Sequence, residues 1–431
     1  MHVENVEVKT QAAVRPHAAF FRQSGWLMIA NIAGGLMMLG VHPLNKGIPD
    51  SEYTAFAVLL MVVACMPTIP LQMVFAQQSA LALATGRKGQ LSGMIRRVWL
   101  GTFLIWGAGA LLVLFFRDFI IARWQLPGLA GLVVTLPLLL FSFWMPMFSG
   151  VMQGKQDFLW IGWSAILGGV FRLGIAAFLV IVLGFGAAGM MGGTLVGVGL
   201  TAGIAIWQTR GLWTLRPEPF DWGGLLRQIT PLIFGFGACQ FMFTSDTLFA
   251  KAYFSPDAMK PYAAAGTLSR GLLWLVMPLA AVMFPKLVQA NVRSEKNNLF
   301  VLVVLGTAVL GLCGMLGLWL VGPVVVKMLY KSGDLSGTMA LIPWYAGAMV
   351  PLALANVMVN DLMARARFQV VPYMVLLALA YGISLPLILN RFPGRLEVVL
   401  QTLGGFNLLL FLICAWFVWG KPGRTAKANA N

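Results

Sequence analysis

The chain has 431 residues, of which 59% are hydrophobic and 10% charged, with 30 Lys and Arg against 14 Asp and Glu, and its mean hydropathy is +0.83. Soluble domains carry about 25% charged residues, so this composition excludes a soluble globular protein and predicts a polytopic, all-α membrane protein. The net charge of +16 does not point to nucleic acid, because the cations are spread over many short connections rather than gathered on one domain.

A spanning helix needs about 20 apolar residues. In chain order, breaks at charges, glycines and prolines predict twelve: 22–44, 54–83, 98–117, 129–152, 158–184, 187–209, 228–250, 261–285, 298–326, 337–360, 368–390 and 398–420. Residues 1–21 read as a polar tail. With no small-residue cleavage site after it, 22–44 reads as a retained span rather than a signal peptide. If the N-terminus is cytoplasmic, 19 of the 30 cations fall in inner segments, Arg87, Lys88, Arg96, Arg97, Arg210 and Arg216 among them, against 9 outside. The positive-inside rule then places both termini in the cytoplasm and requires an even number of spans.

The longest internal break is the Pro- and Gly-bearing segment 210–227. It divides an N-lobe, 22–209, from a C-lobe, 228–420, with a cytoplasmic tail over 421–431. The lobes carry matching fragments: Phe21-Arg22-Gln23 and Leu226-Arg227-Gln228, Tyr53-Thr54-Ala55 and Tyr262-Ala263-Ala264, Gly154-Lys155 before the fifth span and Ala364-Arg365 before the eleventh. Their shared offset of 205 to 210 residues predicts two six-helix repeats of parallel topology, an arrangement that transporters use as rocking bundles around a central site. Pro67 and Pro70 in the second span, with Pro278 and Pro285 in the eighth, are candidate hinges, although ordinary kinks are commoner.

Two arginines carry the chemistry. Arg172 lies midway along 158–184 and Arg270 well inside 261–285. A cation at the bilayer centre costs about 2.5–3.5 kcal/mol on insertion scales, so it persists only where it faces a packed interior or a water-filled cavity. A guanidinium stays ionised and presents paired donors that suit phosphate oxygens. Both are therefore candidate cavity cations for an anionic cargo. The structural alternative is carbonyl bonding to a neighbouring helix for Arg172, and pairing across the hairpin with Asp246 for Arg270. Asp246, deep in the seventh span, is the candidate coupling or gating acid for H⁺ or Na⁺, and Lys251 at that span's outer end a candidate guide for release. Asn31, Gln72 and Gln240 supply uncharged donors that serve either a polar cavity lining or interhelical hydrogen bonds.

Other chemistries find no support. Cys65, Cys239, Cys313 and Cys414 lack pairing or metal-ligand spacing, and His2, His17 and His42 make no metal cluster, so neither metal nor cofactor is expected. Gly150-x-x-x-Gly154-Lys155-Gln156 is one residue too short for a phosphate loop and lacks its Ser/Thr. It matches the small-xxx-small helix contact pattern instead. Energy must then come from an ion gradient, the membrane potential or the substrate's own gradient.

These residues resemble the Wzx-type polysaccharide flippases of the multidrug/oligosaccharidyl-lipid/polysaccharide (MOP) exporter superfamily, whose fold is MATE-like. The resemblance rests on Ser245-Asp246, Tyr262-Ala263-Ala264 followed by Arg270, Phe284-Pro285-Lys286-Leu287, Gln153-Gly154-Lys155 with Phe158, and Phe171-Arg172-Leu173-Gly174. It implies two six-helix lobes around a cavity that opens alternately to the two membrane faces. It also implies a cargo of oligosaccharide on polyprenyl pyrophosphate, moved outward across a bacterial cytoplasmic membrane for cell-surface polysaccharide biosynthesis. Arg172 and Arg270 would face the pyrophosphate, with membrane lipid and other polysaccharide-assembly membrane proteins as partners.

Two rivals share the scaffold. An ion-coupled multidrug or cation exporter should have acids dominating its spans, whereas the deep charges here are two arginines and one aspartate. A lipid II flippase usually carries two further C-terminal spans and charges in the first span, but 23–44 is uncharged. An enzyme is not expected, because the outer connections are short and hold no paired carboxylates.

Overall fold

The computed structural model describes residues 2–420 except 42, 45–47, 50, 51, 53, 54, 57, 58, 61, 64, 65, 67, 125, 220, 221, 255, 293–298 and 330–334. Among these, every regular element is helical. This follows from composition: helices satisfy all backbone hydrogen bonds within one segment, which hydrocarbon demands.

Contacts divide the chain into two compact units, residues 25–225 and residues 1–24 with 226–431. Helix α1, His2–Leu39, contributes to both. Residues 2–21, expected as a tail, are helical and continuous with the first span.

In the unit 25–225, α1 is followed by α2 (Thr68–Ala84), α3 (Lys88–Phe115), α4 (Arg117–Trp124), α5 (Leu129–Gly154), α6 (Phe158–Ala177), α7 (Gly186–Gln208) and the short α8 (Gly211–Thr214). The expected span 54–83 is interrupted, with a bend at Met66 before α2 begins at Thr68. α6 loosens into a π-helical turn over Phe178–Val182. Gly184, at φ 69°, reverses the chain into α7, a left-handed conformation that glycine adopts without steric cost. α5 packs on α2 and α7, and α7 on α6.

Within the segment 210–227, residues 212–218 form a strap along α3. Ser92 Oγ donates to the Leu212 carbonyl at 2.6 Å, and Arg96 Nη2 donates to the carbonyls of Trp213 and, at 3.0 Å, Leu215. The Glu218 amide donates to the Gly89 carbonyl at 3.1 Å. These bonds tie the segment along the first turns of α3.

The other unit holds α9 (Trp222–Tyr253), α10 (Pro256–Val292), α11 (Leu299–Leu329), α12 (Leu335–Ala364), a 3₁₀ turn at Phe368–Val370, α13 (Val371–Arg391) and α14 (Leu396–Trp419). α12 is central, packing on α10, α11 and α14. The neighbour pattern repeats that of the first unit: α10 with α12 as α2 with α5, α12 with α14 as α5 with α7, α13 with α14 as α6 with α7.

Nine helical stretches among the described residues are long and apolar enough to cross a membrane, from Lys88–Phe115 through Leu396–Trp419. The expected spans 22–44, 54–83 and 228–250 each include residues or side chains outside the described set. Exposure settles the solvent. On α3, Leu104, Ile105, Leu111 and Phe115 are each at least 60% exposed, a continuous apolar face that water would not tolerate on a monomeric soluble protein. The chain is a multi-pass membrane protein.

Candidate functional site

Among the described residues three charged side chains are buried: Arg172, Asp246 and Asp361. Both acids are paired with arginines, whereas Arg172 is not.

Asp246 of α9 is fully buried. Its Oδ1 accepts from Arg270 Nη2 of α10 at 2.6 Å. Its Oδ2 accepts from the hydroxyls of Tyr262, at 2.8 Å, and Tyr345 of α12, and more weakly from Thr247 Oγ1 at 3.4 Å. Arg270 is in turn fixed by bonds from Nη2 to Thr247 Oγ1 at 2.7 Å and from Nε to the Phe243 carbonyl at 3.1 Å. Its guanidinium carbon lies 5.4 and 5.3 Å from the Phe243 and Tyr345 ring centres, within cation–π range. Local sequence explains the placement: Phe243, Asp246 and Thr247 are three to four residues apart and so share one face of α9. Oδ2 is thus crowded by three hydroxyl donors, whereas Oδ1 accepts from Arg270 alone. Asp246 and Arg270 are brought together as an ion pair, and Arg270 keeps 16% side-chain exposure.

Asp361, near the end of α12, pairs with Arg365 at 2.8 Å across one helical turn. Sequence reading passed over it, since it lies one residue beyond the span 337–360. Tyr262 and Tyr345, each fully buried, were not read from the sequence as partners of Asp246. Their signal was rarity, because the chain has only 7 tyrosines and a phenol inside an apolar span requires a partner.

Arg172 sits in the other unit, on α6 against α7, with 7% of its surface exposed. It makes no ion pair among the described residues, and its buried Nε has no hydrogen-bond partner. What admits so bulky a residue to a helix interface is the glycine opposite. A Cβ on Gly197 would lie 2.7 Å from Arg172 Cβ and 2.6 Å from the Gly168 carbonyl oxygen, and one on Gly193 would lie 2.5 Å from the Arg172 carbonyl oxygen and from Ala176 Cβ. Gly168, Arg172 and Ala176 recur every fourth residue on α6, and Gly193 and Gly197 do so on α7. The backbones therefore approach closely, as small-xxx-small interfaces do.

The remaining expected residues are dispersed. Gln72 Nε2 donates to Gln153 Oε1 at 3.0 Å, an interhelical tie between α2 and α5. Gly150 and Gly154 abut Gln72, Ala76 and Ser79 of α2, so that motif serves packing. Asn31 on α1 and Gln240 on α9 are half-buried, in different units. Lys251 falls near the end of α9, but its side chain lies outside the described residues, as do Pro67, Cys65 and His42. Cys239 and Cys414 are buried thiols and Cys313 an exposed one. Pro70 is the third residue of α2, where a missing N–H costs nothing, so it is not a mid-span hinge. Pro278 and Pro285 lie inside α10, but prolines also lie inside α5, α9, α11, α12 and α13, which leaves the pair nothing distinctive. Among the described residues no three His, Cys, Asp or Glu side chains gather into a metal site.

No family model matches the sequence, and no curated protein matches it either. Solved structures do. A crystal structure of a MATE transporter in the straight conformation superposes with a TM-score of 0.76 at 13% identity, covering 93% of this chain and 94% of that one. An outward-facing multidrug resistance MATE family transporter of the MOP superfamily gives 0.75 at 13%, again over 93% and 94%. A MOP superfamily transporter from Pyrococcus furiosus, described as having a binding pocket of reverse polarity that suggests a different function, gives 0.75 at 13% over the same shares. At such identity the likeness establishes the fold, which is that of MATE and MOP membrane transporters.

Proposed function

We propose that this chain, built on the MATE-type exporter fold, is a flippase for an anionic amphiphile, namely an oligosaccharide carried on polyprenyl pyrophosphate. The observation that carries the reading is the unmatched buried charge. Among the described residues the buried acids Asp246 and Asp361 are both neutralised by arginines, whereas Arg172 is buried with an orphaned Nε. An unpaired guanidinium in low dielectric attracts an anion strongly, and its paired donors fit phosphate oxygens. A cation exporter would need the opposite, a buried carboxylate left open to its cargo. The Pyrococcus furiosus transporter shows that pocket polarity varies on this fold and has been linked there to a change of function.

Movement follows from alternating access: two conformations of the helix bundles, biased by the cargo's differing affinity for each. The head group would meet Arg172 while the polyprenyl tail stays in lipid. Arg270, held by Asp246, adds little net field and serves packing first. Energy would come from an H⁺ or Na⁺ gradient or from the cargo's own gradient, and polysaccharide-assembly membrane proteins would supply and consume the cargo. The positive-inside count supports a topology with both termini, 210–227 and 421–431 on the cytoplasmic side, and the proposed cargo implies a bacterial cytoplasmic membrane.

The test is to delete the gene in its host and analyse the lipid extract for polyprenyl-pyrophosphate-linked oligosaccharide. Accumulation on the cytoplasmic side, cleared by the wild-type gene but not by Arg172→Ala, supports the reading. An unchanged lipid pool with raised sensitivity to cationic dyes replaces it with multidrug export.

A further inference from the structure

A groove of about 590 Å³ runs along the surface between α13 and α14, lined by Gln369, Tyr373, Leu409, Leu412, Trp416 and Phe417. Its walls face outward, with Tyr373 54%, Leu412 51% and Trp416 65% exposed. Tyr373 and Phe417 close one side with ring centres 5.3 Å apart. The groove begins where the span Phe368–Arg391 starts and Leu396–Trp419 finishes. Its aromatic end is therefore level with the membrane–water boundary, where Trp and Tyr concentrate.

That end is cationic. Arg367 is held against the last turn of α14 only by two long bonds, from Nη1 to the Phe417 and Val418 carbonyls at 3.5 Å each, and it makes no ion pair among the described residues. The acid nearest in sequence, Asp361, is bonded to Arg365 and interacts with Arg367 only through its charge. In sequence, Lys421, Arg424 and Lys427 follow α14 directly. An apolar channel opening toward lipid, with a guanidinium that makes only long hydrogen bonds beside its boundary end, complements one kind of molecule.

We propose that this groove seats a phospholipid of the surrounding bilayer with an anionic head group, one acyl chain lying along Leu409, Leu412 and Trp416 and the phosphate held by Arg367. The seat is separate from the Arg172 site and does not depend on which cargo is carried. Juxtamembrane cations prefer anionic lipid, and a guanidinium that can form paired bonds to phosphate adds geometric selection.

Native mass spectrometry of the purified protein with added phosphatidylglycerol or phosphatidylcholine of identical chains tests the assignment. We expect phosphatidylglycerol to bind at least tenfold more tightly, Arg367→Gln to erase that preference, and Leu412→Trp, which fills the groove, to weaken both lipids. Tyr373→Ala is the second groove variant should Leu412→Trp fail to fold, and melting temperatures identify properly folded protein. Equal binding of the two lipids to wild type overturns the proposal. So does a preference that survives Arg367→Gln, competition by millimolar inorganic phosphate alone, or a groove variant that converts a dimer to a monomer and so marks the face as a contact between copies.

Discussion

Replacing Asp246 by Ala removes the acceptor of Arg270 Nη2, Tyr262 and Tyr345 at once. Breaking a buried ion pair by deleting one partner costs about 3–5 kcal/mol, because the other charge is left uncompensated. Two orphaned phenol hydroxyls push the loss toward the upper end. Units of this size lose about 2–4 °C of melting temperature per kcal/mol, so Asp246→Ala should melt roughly 10 °C or more below wild type. Arg270→Ala should fall comparably. The double variant Asp246→Leu with Arg270→Met should melt above the sum of the two losses, since a buried pair exchanged whole for apolar residues is often nearly neutral. Tryptophan fluorescence in detergent, at one fixed heating rate because such unfolding is irreversible, reads all three. If Asp246→Ala melts within about 2 °C of wild type on that scale and loses only transport, the pair is not structural, and Asp246 serves coupling.

Arg172 predicts the reverse pattern. Arg172→Met removes an unpaired buried cation whose placement costs about 2.5–3.5 kcal/mol, so it should melt at or above wild type while transport is lost. A fall in melting temperature would show that carbonyl bonding in the resting fold holds the guanidinium. Gly197→Leu drives side-chain atoms into Arg172 Cβ and the Gly168 carbonyl and should lower stability by about 1–3 kcal/mol or more, read from the same melting curve. Arg96→Ala releases the carbonyls of Trp213 and Leu215, so limited chymotrypsin digestion should cut after Trp213 or Leu215 several times faster than in wild type. An unchanged rate would mean that Ser92 and the Glu218 amide suffice to hold the strap.

How much of this was legible in the sequence depended on the range of the interaction. Local signals read well. Apolar runs marked the helices, and Gly150-x-x-x-Gly154 marked a close contact that α2 fills. Arg172 and Arg270 stood out because charge inside an apolar run is costly wherever it falls. What a deep charge meets is a tertiary fact. Arg270 had Asp246 and the phosphate of a cargo as equal candidates, and the choice turned on how α9 and α10 lie against each other. Tyr345, 99 residues from Asp246, completes the set from a helix with no sequence tie to either. The strap at 212–218 was not legible for a related reason. Pro and Gly announce the end of a helix, but not whether the exposed carbonyls that follow are captured, as Ser92 and Arg96 capture them here.

The contrast between the paired charges and the unpaired one is where the fold argument and the functional one meet. A membrane protein selected for stability alone has no reason to retain an arginine mid-span, and one selected to pack it would supply an acid, as α9 does for Arg270 and α12 for Arg365. In the α6–α7 contact the opposite has been done. Glycines clear space for the Arg172 backbone and Cβ, yet no acid among the described residues meets its head. Departures from local consistency of this kind are expected at functional sites, where stability is given up for a task. The task consistent with an orphaned guanidinium is to meet, transiently, an anion that the resting protein does not contain. The melting temperature and the transport activity of Arg172→Met should therefore move in opposite directions, which a purely structural arginine would not allow.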